Sequence, residues 1–103
     1  MNLVKILNGK ETSEFGPTRI AKHIQLVNTQ YFLSVQASRA HYCHPRKTLA
    51  YAEYETFEVM AELPQRFIPN EWENYNCGGV YGWVPKEEIE KLLSRLSESY
   101  ELE

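Results

Sequence analysis

A chain of 103 residues is the ordinary size of one folding unit, so residues 1–103 read as a single domain. A hydrophobic fraction of 43% and an aromatic fraction of 13% supply the apolar surface that ordering a chain must bury, which excludes a disordered polymer. The net charge of −3 argues against a uniformly basic nucleic-acid binder. It is nevertheless uneven: residues 1–47 carry seven Lys or Arg against two Glu, and residues 48–103 carry four against twelve Glu, with no Asp anywhere. Either the basic half forms an anion-binding face opposite an acidic one, or the halves interleave and the charges only solvate the fold.

The opening residues have no signal-peptide pattern, no stretch is apolar enough for a membrane span, and two Cys are too few for a secreted disulfide framework. A cytoplasmic protein with reduced thiols is the expectation.

In chain order, Leu3, Val4, Ile6 and Leu7 before Asn8-Gly9 read as a strand entering a hairpin turn, with a return strand over residues 10–15. Gly16-Pro17 breaks that pattern. Ile20, His23, Ile24 and Val27 then recur at helical spacing, predicting a helix over 17–28. Residues 31–38 alternate as a strand, as do residues 56–63, where Phe57, Val59, Ala61 and Leu63 share a face opposite Glu58, Met60 and Glu62. Residues 65–79 look irregular, with a helical turn after Pro69 carrying Trp72 and a tight turn at Gly78-Gly79. A strand over 80–84 leads to a helix opened by Pro85, with Glu87 and Glu88 in its first turn and Ile89, Leu92, Leu93 and Leu96 as its apolar stripe. The tail 97–103 reads as frayed. The resulting class is α+β, a mostly antiparallel sheet of four to five strands with two helices on one face, in the order β(β)αβββα. The polar strand faces are left to solvent or to a partner. The aromatic group Tyr51, Tyr54, Trp72, Tyr75, Tyr81 and Trp83 could form a binding surface with an acidic rim, but such residues are more often core, and Trp83 reads that way.

The densest chemistry lies in the loop between the two patterned strands, Arg39 to Lys47, RAHYCHPRK. Four readings compete for it. His41, Cys43 and His44, with Cys77 or His23, are competent zinc ligands, but one- and two-residue separations are not the spacing that wraps a chain around the ion. Cys43 beside cations resembles an activated thiol, but adjacent His44 points away from it and no Asp exists to orient a histidine. Arg39, Arg46 and Lys47 with Tyr42 resemble a phosphate-contacting patch with an aromatic platform. The fourth reading is purely structural: capped strand ends, a small buried Cys43 and an Arg46–Glu pair.

The units VQASRAHYCHPR, ETFEVMAELP and VYGWVPKEEIEKLL give the chain a resemblance, over about residues 33–96, to a group of small uncharacterised proteins of bacteria, phages and mobile elements that share a His-Tyr-Cys-x-Pro-Arg loop. That resemblance implies no particular activity, but it implies that the loop is more than a connection. The reading that follows is a small non-enzymatic binding or regulatory protein of bacterial or phage origin, of which an inhibitor of a host protein is a natural form. Its contact residues are Arg39, His41, Tyr42, Cys43, His44, Arg46 and Lys47; no catalytic residue, metal or cofactor is assigned. The partner is expected to be a protein, with nucleic acid second and no membrane, and a homodimer is compatible. The alternatives are a small enzyme or metal-binding module using Cys43, His41 or His44, and a nucleic-acid-binding protein.

Overall fold

Two strands with strict period-two patterning fix the plan, because each can bury only one side against the helices. The computed structural model describes residues 1–12 and 19–103. In chain order these hold helix α1 (Leu3–Asn8), strands β1 (Glu11–Thr12), β2 (Ile20–Ala21), β3 (Ile24–Gln25), β4 (Phe32–Gln36), β5 (Thr56–Glu62), β6 (Asn76–Cys77) and β7 (Val80–Pro85), and helix α2 (Lys86–Ser97). Short 3-10 helices lie at Tyr51–Glu53, Gln65–Phe67 and Asn70–Tyr75. The fold is α+β: an antiparallel five-stranded sheet in the order β3-β4-β5-β7-β6, with β1 and β2 forming a separate pair.

On the inner face, β4 sets Leu33 opposite Ala61 of β5 and Val35 opposite Val59. Phe57 pairs with Val84 of β7. The α2 stripe of Ile89, Leu92, Leu93 and Leu96 is buried in the same core, as is Trp72 from the turn after Pro69. The helix at the end of the chain falls where the sequence places it, but the one near the start does not.

Residues 3–8 are a helix, not the expected strand. Asn2 caps it by accepting from the Lys5 N–H at 3.0 Å, and Leu3 and Leu7, four apart, share its fully buried side. Asn8-Gly9 ends this helix instead of turning a hairpin. The Leu3 N–H donates to Glu90 at 2.9 Å, tying α1 to α2.

The helix predicted over 17–28 is also corrected. Residues 13–18, which include part of it and half of the expected return strand, lie outside the described residues, but 20–26 hold the strands β2 and β3 and no helix. Ile24 and Leu26, two apart, are both buried, so the operative period is two. Asn28 takes φ 63, which Asn tolerates, and turns the chain into β4, with the Leu26 N–H donating to the Tyr31 carbonyl at 3.0 Å.

Nor is the tail 97–103 frayed. Gln25 and Glu103 exchange backbone hydrogen bonds at 3.0 and 2.9 Å, and Val27 N–H donates to Glu101 at 2.9 Å, so the tail seals the outer edge of β3. The other edge ends in the two-residue β6, which turns through Gly78-Gly79 (φ 62 and 99) into β7.

The basic and acidic halves interleave: β4 pairs with β5 and α1 packs on α2. The second face of the sheet is only partly open. Gln36 holds the β1–β2 pair across it through a two-way amide clamp on Ala21, accepting from its N–H and donating to its carbonyl, each at 2.8 Å. Ser34 and Gln36 are therefore buried, correcting the expectation that the polar faces stay free. Replacing Gln36 by Ala strands both Ala21 backbone groups. Urea unfolding is expected to show a loss of about 2 kcal/mol, against less than about 0.5 kcal/mol for the exposed Glu62→Gln. Equal stability of the two variants would contradict the clamp.

Candidate interaction surface

The loop over residues 39–47 leaves β4 and crosses the second face towards β5 and β7. Its entry is knotted by Ser38, which is fully buried. The Ser38 carbonyl accepts from the His41 N–H at 3.2 Å and from the Cys43 thiol at 3.3 Å; its hydroxyl accepts from Ala40 N–H at 3.1 Å and sits 2.6 Å from His41 Nδ1. The exit is held by Tyr54, whose hydroxyl donates to the Lys47 carbonyl and accepts from the Leu49 N–H at 2.8 Å. Arg39 N–H donates to the Thr48 hydroxyl at 3.2 Å, closing the base. Beneath it, buried Arg19 lies 3.8 Å over the Tyr51 ring and donates to the Ala37 carbonyl at 2.7 Å.

Between these ties the loop joins the sheet. Tyr42 N–H donates to Glu58 Oε2 at 3.0 Å, and its carbonyl accepts from the Trp83 N–H at 2.9 Å. The His44 carbonyl accepts from the Glu55 N–H at 3.0 Å. Where Tyr42 docks, the β5–β7 register slips between the pairs Phe57–Val84 and Val59–Tyr81, so Glu58 alone faces both Gly82 and Trp83. This is a β-bulge, and it re-aims Trp83 outward. Gly82 eases the approach, because a Cβ there would lie 3.1 Å from Tyr42 Cβ and the loop would have to give by a few tenths of an ångström.

Trp83 has φ 55, the left-handed region that bulky residues avoid. Its ring stacks on Tyr42 (centroids 5.1 Å apart, planes at 23°), and the Arg46 guanidinium lies 5.3 Å from the Tyr42 centroid on the same stack. Trp83 is 45% exposed and Met60 39%. Assigning Trp83 to the core is thus corrected, while Trp72 is fully buried as expected. Left-handed strain costs about 1–3 kcal/mol. The two ring contacts return about 0.5–1.5 kcal/mol for the aromatic pair and about 0.5–1 kcal/mol for the exposed cation–π contact. Together, at about 1–2.5 kcal/mol, these contacts are of the same order as the strain they offset.

Of the residues singled out from sequence, the structure brings Tyr42 and Arg46 into this stack and leaves Arg39, His44 and Lys47 exposed. His44 lies 4.0 Å from Glu55 with both side chains mostly in water, a pair of little energetic weight. His41 is half-buried. Cys43 is 1% exposed and cannot be a contact residue: it is the small buried hydrophobe of the structural reading. Burial pushes its thiol above the ordinary range, against the opposing pull of the Ser38 hydrogen bond and of Arg46 and Arg19. That is the reverse of nucleophile activation. Among the described residues no three His, Cys, Asp or Glu side chains come together as metal ligands. Met60 and Gly82 carry no site signal in the sequence, and for Trp83 and Glu58 the sequence favours a core and a solvent-face position over a site. The Gly-Trp pair inside an otherwise apolar strand is the cue that the sequence offers for a bulge.

The chain matches no protein-family model, no curated protein and no solved structure.

Two outcomes follow. At position 83 glycine should be more stabilising than alanine by about 1 kcal/mol, reversing the usual order in strands; urea unfolding of Trp83→Gly against Trp83→Ala measures this. If alanine is the more stable, the left-handed backbone is wrong. A thiol reagent at neutral pH should label Cys77, which is half-exposed, and reach Cys43 only with unfolding. Because the folded state holds the Cys43 proton more tightly, this residue's contribution to stability is present below the ordinary thiol value of 9.0 and falls as pH rises through it. A Cys43 that reacts as fast as Cys77 would overturn its burial.

Proposed function

We propose that the chain is a non-enzymatic binding protein that holds a protein partner on the Arg46–Tyr42–Trp83 stack and its surroundings. The observation that carries this is Trp83: an exposed indole kept on a strained backbone, stacked on a tyrosine and continued by an arginine. Trp, Tyr and Arg are the residues in which interface binding energy concentrates, and here they are mounted on a hydrogen-bonded sheet, which lowers the ordering cost of binding. Met60 adds apolar area to the same face, and Arg39, His44 and Lys47 form a polar rim with Glu55. A regulatory role, in which occupying a partner's surface blocks or adjusts it, is the form this takes, and a cytoplasmic setting agrees with two free thiols. No helix among the described residues is long and apolar enough to cross a membrane.

A single-stranded nucleic acid is the second reading, favoured by an open indole face beside Arg39, Arg46 and Lys47. The carboxylates of Glu55 and Glu58 on the same ground count against it.

The test is affinity capture from cell extract on immobilised wild-type chain beside Arg46→Glu. A specific protein retained by wild type should be reduced at least tenfold by the substitution, about 1.4 kcal/mol. Equal retention, or no retention by either, would remove this surface as the site. Retention of oligonucleotide that vanishes steeply with salt would favour the second reading instead.

A further inference from the structure

His41 occupies an unusual position on this surface, since its imidazole answers a buried hydroxyl. The Ser38 hydroxyl already accepts from the Ala40 N–H, and Ser38 has no exposed surface, so its own proton needs an acceptor inside the protein. His41 Nδ1, at 2.6 Å, is that acceptor when the ring is neutral and carries its proton on Nε2. A protonated ring must donate from Nδ1 instead, which leaves the Ser38 proton unpaired. The same Ser38 gathers the His41 and Cys43 donors into one tight turn, and Tyr42 sits inside that turn, on Trp83.

We propose that His41 is an acid-sensitive latch for the binding surface: the neutral ring keeps the Ser38–Cys43 turn closed with Tyr42 on Trp83, and protonation opens the turn and breaks the stack. As a regulatory device this rests on the binding reading above, although the latch itself is a property of the free chain. Three charged groups face the ring. Glu58 of β5 favours the imidazolium, while Arg19, which precedes β2, and Arg46, in the loop, oppose it. Burial is the largest influence and, with the two arginines, draws His41 below the ordinary imidazole value of 6.5 in spite of Glu58. The sign follows. A His whose folded value is depressed stabilises the closed turn above the ordinary value, and that contribution is lost as pH falls from 6.5 through the folded value.

The experiment is an NMR titration of the intact chain from pH 7.5 to 4.5, following the imidazole of His41, the amide of Tyr42 and the indole N–H of Trp83. His41 should titrate below 6.5, and the Tyr42 and Trp83 signals should move with its midpoint as the ring-current shift between them is lost. His41→Asn, which offers Ser38 an acceptor that does not protonate in this range, should hold the Trp83 signal at its pH 7.5 position throughout. Ser38→Ala, which removes the hydroxyl in need of an acceptor, should raise the His41 midpoint towards the ordinary value and keeps the test informative if the Asn variant does not fold. A Trp83 signal that stays fixed in the wild type, or that moves equally in His41→Asn, would overturn the latch. Those results leave capture at pH 7.5 untouched, just as failed capture with Arg46→Glu leaves the titration untouched, so the two readings fail separately.

Discussion

The backbone of Tyr42 is the joint on which the surface depends. Its N–H goes to a carboxylate of β5 and its carbonyl takes the Trp83 N–H of β7, so one loop residue is bonded to two strands. Loops usually satisfy their backbone groups with water and move accordingly; this one spends them on the sheet. The bulge is the other half of the joint. The extra residue in β7 frees the Trp83 N–H from β5 and turns its ring to the outside, and Gly82 leaves room for the close approach of Tyr42. Loop and strand therefore specify each other, and the stack of Arg46, Tyr42 and Trp83 is the surface that results.

Magnitudes give that surface its meaning. Strain and stacking nearly cancel, and a glycine at position 83 would avoid the strain altogether. What a tryptophan adds is rigid, amphipathic, exposed area, useful for contact with another molecule. The chemistry beneath the loop points the same way. Cys43 is buried and held protonated, with its thiol donating to the Ser38 carbonyl, so it anchors the turn instead of attacking a substrate. Arg19 serves as an internal brace, stacked on Tyr51 and bonded to the end of β4.

Much of this was legible in the sequence where one signal dominated. The alternation over residues 32–36 and 56–62, the Pro85 helix start with its leucine stripe, and the Gly78-Gly79 turn all have one strong local cause, and all fold as expected. The failures have physical reasons too. Leu3 and Leu7 suit either period in so short a run, and only Asn2 as a cap and the docking of α1 on α2 decide for helix. Ile20, Ile24 and Val27 keep helical spacing, but all three are β-branched, and pairing decides for strand: Ile20 with Thr12, Ile24 with Leu33, and Leu26 with Leu102 of the tail. The tail's order likewise comes from pairing with residues some 75 positions earlier, which no local pattern encodes. For the surface, the loop was visible from its composition, whereas its second half was not. Counted in period two from Tyr81, Trp83 falls on the core face, and the bulge that reverses this exists only in the register between two strands.

The central claim is that the stack is preformed and rigid in the free chain. Backbone ¹⁵N relaxation of Tyr42 and Trp83 at neutral pH tests it most directly. Order parameters near those of rigid backbone, about 0.85, are predicted for both residues, equal to those of the β5 core. Values below about 0.6 at Tyr42, with Trp83 similarly loose, would show a mobile loop merely resting on the sheet and would contradict the account.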